Sequence, residues 1–233
     1  MFRRPRPTHD VRVTAVAPLT PTLLRLTLAG PTLDTLTVEH ATQWVKLATP
    51  DGHSRAYTIR HHRPAERETD IDIVLHGNGP LSRWAATARP GDPARIAGPR
   101  GRRPSFGGAG HVLLAADESA LPAALTVLEE LPPTVPVTLF AEVGDAAGAT
   151  LPLPARTGLT THWLVRPQDH AKGRPLTDTL LATDVPPGTT AWLAGESQAV
   201  ATVRRHLLTD WALPRERVHG KGYWKLGEAN HKD

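Results

Sequence analysis

The chain of 233 residues contains no cysteine. That absence excludes disulfides, Cys-ligated iron–sulfur clusters, zinc ribbons and thiol catalysis, so any redox chemistry must ride on a bound cofactor. No window approaches the roughly 20 consecutive apolar residues of a membrane span. The opening MFRRPRPTHDVRV has arginines but no apolar run behind them, which argues against a secretory signal and predicts a cytoplasmic protein. The 12 histidines show neither an HExxH nor a facial-triad spacing, and His61 and His62, adjacent on a strand, would face opposite ways. No protein-bound metal is expected. A GxSxG elbow is missing, and with it a Ser-His-Asp reading. There is no internal repeat, no zinc-finger spacing and no RNP-like aromatic motif. The net charge of +4, spread over scattered arginines, therefore favours phosphate-bearing cofactors or acidic small molecules over nucleic acid.

What the chain has in quantity is proline and glycine, 23 and 19 residues, which imply short elements and many turns. The first half reads as β: VRVTAVAPL (11–19), TLLRLTLAG (22–30), ATQWVKLATP (41–50), SRAYTIRHH (54–62) and IDIVLHG (71–77), spaced as in a small antiparallel barrel. One helix-like piece, GPLSRWAATARPG (79–91), interrupts before DPARIAGPRG (92–101) returns as strand and turn. The second half changes period. HVLLAAD (111–117), PVTLFAEV (136–143), THWLVRP (161–167), TTAWLAGE (189–196) and RVHGKGYW (217–224) read as strands of a parallel sheet. ESALPAALTVLEEL (118–131) and SQAVATVRRHLLTDW (197–211) read as helices between them. The turn-rich RRPSFGGAG (102–110) divides a β-barrel domain, 1–107, from an α/β domain with a C-terminal tail, 108–233.

RAYTIR (55–60) alternates without an apolar face: Arg55, Tyr57 and Ile59 share one side, Ala56, Thr58 and Arg60 the other. A ring beside a hydroxyl and a cation suits a flavin, with Tyr57 on the ring plane, Thr58 or the backbone near N5, and Arg55 on the pyrophosphate. An exposed edge strand with solvated arginines gives the same pattern. In HGNGPLSRWA (76–85) a glycine turn leads into a helix with Pro80 at its first position and Ser82 in its first turn. The free N–H groups there make an anion site, or simply an ordinary helix start.

RAYTIR, VLHGNGPLSRWA, GPRG (98–101), AADESALPA (115–123), WLAGE (192–196) and GKGYWKLG (220–227) together resemble the siderophore-interacting protein family, flavin-dependent ferric-siderophore reductases of the ferredoxin-reductase-like superfamily. The resemblance runs through nearly the whole chain in order and spacing. It implies an N-terminal antiparallel flavin-binding β-barrel, a C-terminal α/β NAD(P)-binding-like domain with a parallel sheet, and FAD. NAD(P)H would deliver a hydride to the flavin, and electrons would then pass to the iron(III) of a docked siderophore. By the resemblance Arg55, Ala56, Tyr57, Thr58 and Ile59, with Val74, contact the flavin, and His76, Gly79, Pro80, Ser82 and Trp84 lie on its phosphate side. Lys46, Lys221, Trp224 and Lys225 are the substrate-side candidates; Lys225 stands where many relatives have arginine, keeping the charge but losing the planar fork.

The nucleotide side lacks GxGxxG. Asp117, Glu118 and Ser119 occupy the strand-to-helix turn instead, where a pyrophosphate would meet like charge. Glu142 stands where an acid would read a ribose, Arg166 where a 2′-phosphate could pair, and Gly195 and Glu196 close the next strand. Two alternatives follow: the same reduction driven by reduced ferredoxin, or a siderophore carrier without chemistry.

Overall fold

The structure, a computed structural model, describes residues 7–77 and 79–228. The chain divides into two compact units, Met1–Arg103 and Pro104–Asp233. Among the described residues no helix is long and apolar enough to cross a membrane.

The first unit is one antiparallel sheet of seven strands. They are β1 (Thr8–Thr20), β2 (Leu23–Ala29), β3 (Trp44–Ala48), β4 (Ser54–Thr58), β5 (His61–Arg63), β6 (Glu68–Val74) and β7 (Pro93–Arg100), in the order β4-β3-β7-β1-β2-β6-β5. Strict alternation sends Val11 and Val13, Leu26 and Leu28, Val45 and Leu47, Ile71 and Ile73 to one side. There they form a core, each large aliphatic side chain contributing about 1.5–3 kcal/mol relative to exposure. The run 54–62, read from sequence as one strand, is two. Ile59 N–H still bonds to Gln43 O on the β3 side at 2.9 Å, whereas Arg60 N–H bonds to Asp70 O on β6 at 2.8 Å. The chain changes partner between these residues, and this exchange curls the sheet into a barrel. Helix α1 (Pro80–Thr87) follows β6 after a glycine turn.

The second unit is a parallel sheet of β8 (His111–Asp117), β9 (Val137–Val143), β10 (Leu159–Val165), β11 (Thr189–Glu196) and β12 (Val218–Trp224), ordered β10-β9-β8-β11-β12. β8 and β11 are buried along their whole length, as their unbroken apolar runs require. Helices α2 (Leu121–Glu130), α3 (Arg174–Leu181) and α4 (Ser197–Thr209) connect them. The winding reverses between β8 and β11, and at such a switch point an open α/β sheet offers a crevice beyond its strand ends. Helix α3 has no counterpart in the sequence reading; its RPLTDTLL is short and threonine-rich, and what holds its start lies far away in the chain.

Candidate functional site

In the barrel unit, β4 is a sheet edge with β3 as its hydrogen-bonded neighbour. Antiparallel bonding alternates along a strand. Because Ile59 bonds toward β3, so do Tyr57 and Arg55, while Ala56 and Thr58 turn their backbone N–H and C=O groups to the open side. Arg55 and Tyr57 share the face of Leu47 and Val45, and Tyr57 packs on the barrel core. Burial pushes the Tyr57 phenol up to about 12, against the pull of the Arg55 cation. The ring is thus neutral and fixed. Arg55 donates one N–H to the Ser54 carbonyl at 2.8 Å, and among the described residues no carboxylate pairs with it. Thr58 is buried and Ile59 enters the core. Val74 ends β6 opposite Leu23.

The glycine turn supplies a second feature. Ser82 Oγ accepts N–H bonds from His76 at 3.0 Å and Gly77 at 3.2 Å, so this hydroxyl fastens the turn. Gly77 has φ +75° with nothing within 4 Å of where a Cβ would stand. Gly79 leaves the start of α1 without a side-chain cap, and Pro80 begins the helix. The His76 ring lies against Gly79, 3.1 Å from its would-be Cβ, and Trp84 packs on the barrel core. An open turn before an uncapped helix N-terminus can take phosphate. With an aromatic ring, a carboxylate-free arginine and an open strand edge, the unit fits a flavin dinucleotide.

The second unit tells a different story at its strand ends. Asp117, buried at the end of β8, accepts five donors. Its Oδ1 takes Ser119 N–H (2.9 Å), Ser119 Oγ (2.6 Å) and Ala120 N–H (3.3 Å); its Oδ2 takes Glu196 N–H (2.9 Å) and the Trp224 indole N–H (2.8 Å). Burial raises its carboxyl above the usual range, with Ser119 and Trp224 pulling the other way. Gly195 at φ +144° makes the approach possible, because a Cβ there would stand 2.6 Å from Asp117 Oδ2. Glu196 Oε2 accepts Ala199 N–H at 2.8 Å and so caps α4. Glu142, fully buried, accepts Gly173 N–H (2.8 Å), Leu176 N–H (3.2 Å) and Arg166 Nη1 (3.0 Å). Glu118 accepts Gly144 N–H at 3.0 Å and stands 4.0 Å from Arg166. At the β8–α2 turn the Ser119 and Ala120 N–H groups bond to Asp117. Glu142 has no oxygen left over for a ribose, and Arg166 lies between two acids rather than facing open space.

Residues 109–227 match the model of the siderophore-interacting protein, and residues 50–103 that of the siderophore-interacting FAD-binding domain. The chain belongs to the siderophore-interacting protein family. Ferric vibriobactin reductase ViuB of Vibrio cholerae is 33% identical over 187 residues, 77% of this chain and 68% of that one. The mycobactin import ATP-binding/permease protein IrtA of Mycolicibacterium smegmatis is 30% identical over 231 residues, 95% of this chain, which spans only 26% of that protein's length. A siderophore utilization protein from T. fusca superposes with a TM-score of 0.87 at 35% identity, covering 99% of this chain and 97% of that one. A ferredoxin NADP+ reductase from Neisseria gonorrhoeae shares the fold, with a TM-score of 0.71 at 18% identity over 93% of this chain and 99% of its own.

In this siderophore-interacting protein the cations expected on the substrate side belong to both units. Lys46 is exposed on β3 between Ala56 and Ala97, on the sheet face opposite to Tyr57. Lys221 stands 5.8 Å over the Tyr223 ring. Lys225 is exposed and paired with Glu228, which raises its pKa. One cation escaped the sequence reading: Lys172 lies 5.5 Å over the Trp224 ring. Its signal was invisible because the contact joins a loop after β10 to the end of β12.

Proposed function

We propose that this protein is an FAD-dependent ferric-siderophore reductase. The observation that carries the reading is the barrel edge: an arginine free of carboxylates beside a fixed aromatic ring and an open strand edge, within the family's FAD-binding domain. The reductase name of ViuB, at 33% identity, supports the activity. When bound, FAD would accept electrons from a donor and hand them singly to the iron(III) of the substrate. Arg55 would hold the pyrophosphate bidentately, Tyr57 would cover the ring, and the backbone groups of Ala56 and Thr58 would meet its polar edge. Hard oxygen donors grip iron(III) far better than iron(II), so reduction itself releases the metal. The protein then need supply no acid, base or nucleophile, only position and cations that attract an anionic chelate.

For the donor, the shape of the second unit speaks for NAD(P)H and its strand ends speak for reduced ferredoxin. Asp117 occupies the amides of the β8–α2 turn, where a dinucleotide fold would hold pyrophosphate, and Glu142 and Glu196 take the amides that open α3 and α4. The test is an absorption spectrum of the FAD-reconstituted protein without oxygen, before and after NADH, NADPH and reduced ferredoxin. Bleaching by a nicotinamide at micromolar concentration would overturn the ferredoxin reading. A protein that takes up no flavin would overturn the enzyme and leave a siderophore carrier.

A further inference from the structure

Asp117 and Glu196 do more than block the switch point. Their oxygens also reach the end of β12 and the exposed residues that follow it. Asp117 Oδ2 holds the Trp224 indole N–H at 2.8 Å, and Glu196 Oε1 accepts Leu226 N–H at 3.3 Å. Ser197, next in the chain, donates its hydroxyl to the Trp224 carbonyl at 2.9 Å. That last contact requires glycine at 222, whose Cβ would stand 2.1 Å from Ser197 Oγ. Three bonds from the ends of β8 and β11 thus pin residues 224–226 from beneath, although Leu226 itself is 63% exposed. A surface segment gains little stability from such fixing. It gains a set geometry for the groups it displays.

The ring so fixed carries a cation. Lys172 sits 5.5 Å over the Trp224 ring, and Lys225 follows directly in sequence. A lysine stem ordinarily samples many rotamers, and an aromatic face under its ammonium narrows them. An anion arriving there meets a charge already in place, so less ordering entropy opposes binding.

We infer that Asp117 is a positioning residue for the substrate side: it locks Trp224, and the locked ring presents Lys172 as a further cation for an anionic ferric chelate. The acid at the place of a phosphate-binding glycine loop has become an anchor for chelate recognition. This rests on the siderophore-reductase reading above.

Binding and turnover separate the two. FAD-loaded wild type, Trp224→Phe, Asp117→Asn and Lys172→Ala are dialysed to equilibrium against a ferric tris-catecholate, a triply negative chelate, and against a neutral ferric tris-hydroxamate. The expected result is about tenfold weaker tris-catecholate binding in each variant, with the hydroxamate little affected by Lys172→Ala. The Trp224→Phe/Asp117→Asn double variant should bind the tris-catecholate no worse than the poorer single, because both break the same Asp117–Trp224 bond. Anaerobic reoxidation of photoreduced enzyme by the chelate should show the loss in the half-saturating concentration and not in the limiting rate. Unchanged tris-catecholate binding in Trp224→Phe or Lys172→Ala overturns the inference, as does equal weakening toward both chelates. Should Asp117→Asn fail to fold, Trp224→Phe, which keeps a smaller aromatic face and removes the indole N–H, decides together with Lys172→Ala. Normal chelate binding without any flavin reoxidation in wild type would instead overturn the reductase reading.

Discussion

Arg55 and Arg60 stand five residues apart in one motif and have opposite fates. Arg60 is buried, within 4.0 Å of Asp72, and donates to His61 Nε2 at 2.9 Å, whereas Arg55 donates to the Ser54 carbonyl and pairs with no carboxylate among the described residues. Arg55→Ala should therefore strip FAD on gel filtration while leaving the circular dichroism of the barrel unchanged. Arg55→Lys should restore retention only in part, since a point charge lacks the bidentate fork. Full flavin content in Arg55→Ala would overturn the assignment. Tyr57 offers a second check. With its phenol pushed up to about 12, one of the chain's 2 tyrosines should resist ionisation in an ultraviolet alkaline titration. A folded-state value raised in this way favours the folded chain below the unfolded pKa near 10. That contribution is lost as pH rises through the window from 10 to 12.

Helix α3 shows how an element can depend on a residue far from it. Glu142 lies at the end of β9, yet it accepts the Gly173 and Leu176 N–H groups that open α3. Glu142→Ala would orphan these amides and leave the Arg166 guanidinium to Glu118 alone, a loss of about 1–3 kcal/mol for each buried group left unsatisfied. Hydrogen exchange should then show residues 174–181 unprotected before the sheet is. Equal protection of α3 in that variant would show the cap to be dispensable. Glu142→Gln keeps an acceptor and should lose less. At the end of β11, Gly195→Ala would push a methyl against Asp117 Oδ2 at a φ of +144°, and a drop in Tm of several degrees is the expected cost.

At the scale of the whole molecule the two units answer to pH differently. On the outer side of the barrel sheet, Asp70 takes Arg63 bidentately at 2.8 and 2.9 Å, with His61 at 3.2 Å and Thr27 at 2.9 Å. Burial alone would raise this carboxyl, but Arg63, His61 and Thr27 hold it well below the usual range. Its stabilisation is complete above the ordinary carboxylate pKa of about 4 and is lost as pH falls toward the folded value. Asp117, raised by burial, has the opposite sign. Acid should thus unfold the barrel unit ahead of the α/β unit, read as FAD release before loss of helical signal. Asp70→Asn should flatten the barrel's dependence on pH below 4. Simultaneous loss of both signals would count against this ordering.

Much of the architecture was legible because period and burial agree. Alternating Val11, Val13, Leu26 and Leu28 can only line one side of a sheet, and the unbroken HVLLAAD can only be an inner strand. The glycine turn before Pro80 and the strand Ser54–Thr58 were also legible as elements, although their residues fit an ordinary helix start and edge strand as well as a cofactor site. The strand break at Ile59–Arg60, helix α3 and the Lys172–Trp224 contact did not. Each rests on a partner distant in sequence: Asp70 for Arg60, Glu142 for α3, and the end of β12 for Lys172. Local spacing alone determined that Asp117, Glu118, Glu142 and Glu196 would end strands or open helices. Only the tertiary structure decided that these acids turn inward to cap the protein's own amides, because a buried carboxylate must find its donors wherever the fold brings them.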